Sequence, residues 1–220
     1  MSTRPRIKIC CIQSVAEARA AVAYGADAIG LVSAMPSGAG IISDERLIPE
    51  IAATVPPPVA TFLLTSLTDT DAIIAQHHRC RTSTIQLVDA LTRGTHANLR
   101  CALPGIRLVQ VIHVRDDTSV AEALAAGPHV DALLLDSGNP ALAVKELGGT
   151  GRTHNWSLSR RIVQECVKPI FLAGGLRPDN VAAAWAAVHP WGFDICSGVR
   201  TNDHLDETKL AAFFAAVVKL

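Results

Sequence analysis

The chain has 220 residues, 49% of them apolar and 18% charged, with twenty Lys and Arg balanced by twenty Asp and Glu. That length suits a single α/β domain over 1–220, and the apolar share is enough for a sizeable core. The even charge excludes the basic excess that nucleic acid or an anionic membrane surface requires, and charge or proline interrupts each apolar stretch before it spans a bilayer.

Arg4, Arg6 and Lys8 open the chain, but Gln13, Glu17 and Arg19 break the apolar segment that a secretory signal would need next. The chain therefore reads as cytoplasmic. Six cysteines, at 10, 11, 80, 101, 166 and 196, form no CxxC pair and no zinc pattern, so no metal is expected. Apart from Cys10 they read as buried, reduced thiols.

A β-branched strand over 7–11 comes first, with Ser14 capping a helix over 15–24 that Gly25 ends. A strand over 28–33, a helix over 44–53, a strand over 59–65 and a helix over 69–78 follow. Next come a strand over 84–88, a helix over 98–103, a strand over 108–114 and a helix over 119–126. The last units are the strands 132–136, 169–173 and 193–196, each leading into a helix, over 157–167, 178–188 and 206–218. Eight strands alternating with eight helices require parallel strands with helical crossovers. A closed (β/α)8 TIM barrel and an open doubly wound sheet share that rhythm. The open sheet should show G-x-G-x-x-G after its first strand, and the chain reads Cys10-Cys11-Ile12-Gln13-Ser14 there. The pattern favours the barrel.

Barrel active sites lie at the C-terminal ends of the strands. There the first strand offers Cys10, on the same face as Lys8 by alternation, and the sixth offers Asp136 after the apolar run Leu133-Leu134-Leu135. An aspartate closing a buried run needs a partner or a job. The seventh strand ends at Gly174-Gly175 and the eighth at Ser197-Gly198, where glycines let a phosphate approach free backbone N–H groups. A further cluster, Gly148-Gly149-Thr150-Gly151, sits in a loop long enough to fold over a ligand.

Lys8-Ile9-Cys10, Gly25-Ala26-Asp27-Ala28-Ile29-Gly30, Ile85-Gln86-Leu87, Leu134-Leu135-Asp136, Gly148-Gly149-Thr150-Gly151 and Trp156 occur in an order that resembles the phosphoribosylanthranilate isomerase family. Ala173-Gly174-Gly175-Leu176 with Pro178 and Asn180, then Asp194-Ile195-Cys196-Ser197-Gly198-Val199, continue the likeness over nearly the whole chain. The resemblance implies a cofactor-free Amadori rearrangement in tryptophan biosynthesis, acting on a small phosphorylated sugar. In it Asp136 is the general acid and Cys10 the general base, with the thiol lowered from its usual pKa of about 8.5 by Lys8. Gly174, Gly175, Ser197 and Gly198 hold the substrate phosphate, and Lys8, Gln86, Gly149, Gly151 and Arg152 supply further substrate contacts. A monomer or a homodimer is equally compatible.

Four places depart from the family's usual pattern. Met35-Pro36-Ser37-Gly38-Ala39-Gly40-Ile41 lacks the arginine that typically meets the anthranilate carboxylate, and the glycine usual after the catalytic cysteine is Cys11. Val88-Asp89 replaces a His-Gly, and His154-Asn155 a Phe-Asp. Three readings stand open here: the isomerase itself, a relative using the same Cys/Asp pair on a phosphosugar without anthranilate, and a non-catalytic barrel that binds a phosphorylated ligand.

Overall fold

In the computed structural model, which describes residues 4–148 and 151–220, eight parallel strands close into a barrel in the order β1 to β8. They are β1 (Arg6–Ile9), β2 (Ala28–Val32), β3 (Ala60–Thr65), β4 (Thr84–Leu87), β5 (Arg107–His113), β6 (Ala132–Asp136), β7 (Ile170–Leu172) and β8 (Gly192–Ile195). The crossovers are α1 (Val15–Ala23), α2 (Leu47–Ala53), α3 (Thr70–Cys80), α4 (His96–Ala102), α5 (Thr118–Ala126), α6 (Trp156–Glu165) and α7 (Val181–Val188), and α8 (Glu207–Val217) follows the last strand. Pairing of β1 with β8, Lys8 opposite Asp194, completes the ring.

Two apolar cores follow from the alternation of side chains along each strand. Ile7, Ile9, Ile29, Leu31, Leu63, Ile85, Leu133, Leu135, Leu172 and Phe193 face outward and meet the helices. Ala28, Val32, Phe62, Leu64, Val109, Val111, Leu134 and Phe171 fill the inside of the barrel. Inward positions at the C-terminal end of the barrel are different: Cys10, Gln86, Asp136 and Asp194 are buried there.

Every expected strand and helix is present, most with shifted ends and the strand 132–136 as expected. Helix α2 begins at Leu47 instead of 44, because Asp44 turns its carboxylate onto Arg46, main chain and guanidinium alike, and spends itself in a turn. Helix α7 begins three residues late for the same kind of reason: Asn180 accepts from the Arg177 N–H across a turn. Helix α4 starts earlier than expected, where Thr95 and Asn98 satisfy each other's backbone in a reciprocal cap. Unforeseen elements are two short 3-10 turns, Gly127–His129 and Ser197–Val199, and a small hairpin of β9 (Arg200–Thr201) with β10 (His204–Leu205).

The cysteines correct the expectation of buried thiols. Cys11 and Cys196 are joined in a disulfide with Cα atoms 5.9 Å apart, Cys101 is exposed and Cys166 half-buried, while Cys10 and Cys80 are buried and free. Among the described residues no helix is long and apolar enough to cross a membrane.

Candidate active site

The C-terminal mouth of the barrel holds a cavity lined by Cys10, Gln86, Asp136, Gly151, Gly174, Gly175 and Ser197. These seven of the expected site residues therefore meet in one place. Cys10 sits just past β1, where its N–H continues the ladder to the Ile195 carbonyl at 2.8 Å. Asp136 closes β6 with 8% of its surface exposed. Its Oδ1 accepts the Ser137 N–H at 2.7 Å, which fixes the carboxylate plane.

Three of the remaining four expected residues fall elsewhere. Gly198 does not line the cavity; it packs on the backbone of Leu176, whose carbonyl lies 2.0 Å from where a Cβ would stand, so it lets the β7 and β8 loops meet. Lys8 is fully buried below the cavity floor, its Nζ 2.8 Å from Asp194 Oδ1. Arg152 stands exposed at the rim, paired with Glu146. Gly149 lies outside the described residues.

The sequence reading missed what binds Lys8. Asp194 is a buried acid held by the Lys8 ammonium, and it also lines the cavity. Burial alone would lower the Lys8 ammonium, but the Asp194 carboxylate and the Cys10 sulfur outweigh burial and hold it above the usual lysine value. Gly30 makes this convergence possible: a Cβ there would lie 2.8 Å from Cys10 Sγ and 3.1 Å from Lys8 Nζ.

The thiol corrects a second expectation. Burial first, and then the Asp194 charge, push Cys10 up to about 11, and the opposing pull of Lys8 is too small to lower it. The thiol is therefore protonated at neutral pH. A proton held more tightly by the folded than by the unfolded chain stabilises the fold below the ordinary thiol value and ceases to do so above pH 11. Stability is thus expected to fall with rising pH between those limits, by at most about 2–3 kcal/mol. Denaturant unfolding of the parent beside Cys10→Ser at stepped pH measures it, and parallel curves would refute it.

The described parts of the loop over 137–155, residues 137–148 and 151–155, lie across the mouth. Ser37, in the loop after β2, donates to the Lys145 carbonyl at 2.7 Å. At Gly148, with φ +130°, a Cβ would stand 2.6 Å from Asp136 Oδ2. Further along, Gly175 packs on the backbone of Gly151, Arg152 and Thr153. The loop thus touches both sides of the opening and roofs the acid. Gly148→Ala is expected to displace the carboxylate or the loop and to lower kcat on the order of 10²-fold, since displacements near 1 Å cost that much. Unchanged turnover would show that the roof is not needed.

Cys11, which stands where the resembled family has glycine, holds φ +64°. Its carbonyl accepts from Arg200 Nη1 at 2.7 Å, and Arg200 in turn bridges Gln13 and Glu17. Gly40 makes room for the Cys11 side chain, since a Cβ at Gly40 would lie 2.2 Å from that of Cys11. Both ends of the disulfide border the cavity. Among the described residues no cluster of three or more His, Cys, Asp or Glu is arranged to hold a metal ion.

The family model described as N-(5'-phosphoribosyl)anthranilate (PRA) isomerase matches residues 7–216. The chain belongs to this family. It is 36% identical to N-(5'-phosphoribosyl)anthranilate isomerase 2 of Methanosarcina mazei over 94% of this chain and 92% of the relative. The corresponding isomerase of Methanocella arvoryzae is 32% identical over 98% of both chains. Among solved structures, the phosphoribosyl anthranilate isomerase of Thermotoga maritima superposes with a TM-score of 0.81 at 26% identity, over 98% of this chain and all of that one. Membership in the PRA isomerase family agrees with the barrel and with the ordered motifs that carried the resemblance.

Proposed function

We propose that this chain catalyses the rearrangement of N-(5'-phosphoribosyl)anthranilate to the corresponding 1-amino-1-deoxyribulose phosphate in tryptophan biosynthesis. The observation that carries the reading is the meeting of Cys10 and Asp136 with Gly174, Gly175 and Ser197 around one cavity in a chain of this family. The protein works as one domain over 1–220, in the cytoplasm, on a small phosphorylated sugar and without a cofactor, as a monomer or homodimer.

Asp136 gives its proton to the ribose ring oxygen. The bond from C1 to that oxygen breaks, and the nitrogen lone pair forms an iminium at C1. Cys10 then removes the proton on C2; the C–H electrons form C1=C2 and the iminium pair returns to nitrogen. The enolamine so formed tautomerises to the ketone, and the net reaction is an isomerisation. The Cys10 thiol, held at about 11 by burial, must first release its proton to solvent to act as the base, and the positive charge of the iminium beside it favours that thiolate. Lys8, fixed by Asp194, adds to that charge from below. The Gly174, Gly175 and Ser197 backbone meets the phosphate, where close approach to N–H groups replaces a cationic side chain.

Freshly prepared phosphoribosylanthranilate tests the reading through the loss of anthranilate fluorescence. Turnover at catalytic enzyme concentrations is expected. If the fluorescence decays no faster than the spontaneous breakdown of the substrate, the isomerase reading fails.

A further inference from the structure

The opposite end of the barrel carries a second hollow, of about 230 Å³, that shares no lining residue with the cavity at the mouth. Bulky branched side chains normally fill a barrel of this kind. Here three strands open on alanine instead: Ala28 on β2, Ala60 on β3 and Ala132 on β6. Phe62, Phe171 and Trp191 wall the space that these small residues leave, and the lining is almost wholly apolar. The rings meet edge to face, Phe62 and Phe171 with centroids 6.0 Å apart and Phe171 and Trp191 at 5.0 Å. Gly192 lets them do so, since a Cβ there would stand 3.0 Å from two atoms of the Phe171 ring. Trp191 is nonetheless 48% exposed, so one aromatic wall of the hollow reaches solvent.

The rim of the hollow is charged, and unevenly. Arg6 with Asp27 and Arg107 with Asp131 border it at β1 and β5, which stand across the eight-stranded ring from each other. Asp27 is shared by Arg4 at 3.1 Å and Arg6 at 3.0 Å, and Asp131 by Arg100 at 3.1 Å and Arg107 at 3.2 Å. Each carboxylate also accepts a main-chain N–H at 2.8 Å, from Ile7 and from Leu108. Two guanidiniums to one carboxylate leave a positive charge in excess on each side, and the Arg6 and Arg107 side chains are both more than half exposed.

Size, lining and charge together select a class of ligand. An apolar cavity of about 150 Å³ takes benzene, so the hollow at about 230 Å³ admits one aromatic ring with a small substituent. The excess charge selects an anion, and a planar carboxylate matches the guanidinium fork. We propose that the N-terminal end of the barrel binds an aromatic carboxylate, with its ring in the hollow against Phe171 and Trp191 and its carboxylate at the Arg6 and Arg107 rim. This site lies apart from the isomerase chemistry and does not depend on it.

The test titrates the full chain with benzoate, benzamide and acetate by calorimetry. Benzoate is expected to bind. Benzamide, which keeps the ring without the charge, should bind about tenfold or more weakly, as loss of one charge-assisted hydrogen bond would make it. Acetate, which keeps the charge without the ring, should not bind at the same concentrations. Absence of benzoate binding, or benzamide or acetate binding as tightly as benzoate, overturns the inference. Two variants fix the place, because the mouth of the barrel is also open to a small carboxylate. Ala132→Leu fills the hollow and is expected to abolish benzoate binding in a protein that melts no lower than the parent. The double variant Arg6→Gln, Arg107→Gln changes only exposed side chains, so it should fold, and it is expected to weaken benzoate about tenfold or more. Parent-like benzoate affinity in either folded variant places the ligand elsewhere and overturns the inference.

Discussion

Cys10→Ala is expected to lower kcat by about 10²–10⁴-fold, the range that a positioned proton-transfer group supplies, at a cost of no more than about 1 kcal/mol in stability. The small structural cost follows from the position of the residue. Its N–H bond to Ile195 belongs to the main chain and survives the substitution, and its side chain, although part of the inner core, also borders the cavity. Asp136→Asn is the companion variant: the amide keeps an oxygen to accept from Ser137 N–H but has no acidic proton to give. Its kcat is expected to fall by a similar factor. Because the two groups act in one sequence, the double variant should lose little beyond the worse single one. Steady-state turnover together with a denaturant curve decides the matter. A Cys10→Ala protein within tenfold of the parent would remove the thiol from the mechanism.

The second large effect is on folding. Lys8→Met removes the partner of a carboxylate that is itself 8% exposed, and it is expected to destabilise the protein by about 3–5 kcal/mol, as stranding one member of a buried ion pair does. In a chain of this size that is a drop in melting temperature on the order of 10 °C. Asp194→Asn added to Lys8→Met removes the stranded charge and should recover a large part of the loss, because the cost lies in the unpaired carboxylate more than in the missing attraction. A Lys8→Met protein as stable as the parent would mean that Asp194 is satisfied by something other than the ammonium.

That pair also marks the limit of what was legible in the sequence. Strand alternation set Lys8 and Cys10 on one face, and both do point into the barrel. The partner of Lys8 was not legible, because it depends on β1 and β8 lying in register across the closure of the ring, a relation between residues 186 positions apart. The same burial that strengthens the pair overturns the expected low thiol: Lys8, the one charge visible from the strand alternation, favours the thiolate, but the cost of taking it out of water and then the Asp194 charge outweigh it. Elements were legible where a local period and a local cap agree, as at Ser14 and α1. Their ends slipped where Asp44 and Asn180 had the option of closing a turn instead. Gly174 and Gly175 do reach the mouth, as their type and strand end suggested, whereas Gly198, picked on the same signal, packs on Leu176 instead. The contact of Gly148 with Asp136 was not legible, since it depends on how a long loop lies in space.

The bond between Cys11 and Cys196 spans 185 residues of the chain, and it ties the strand that begins the barrel to the strand that ends it. In its oxidised form the stretch from Cys11 to Cys196 is topologically a closed ring, whether folded or not. Loop closure of that length removes roughly 5 kcal/mol worth of freedom from the unfolded ensemble. The thiol–disulfide balance of the surroundings therefore acts directly on the seam of the barrel: an oxidising compartment holds it shut covalently, and a reducing one leaves it to strand pairing and the Lys8–Asp194 ion pair.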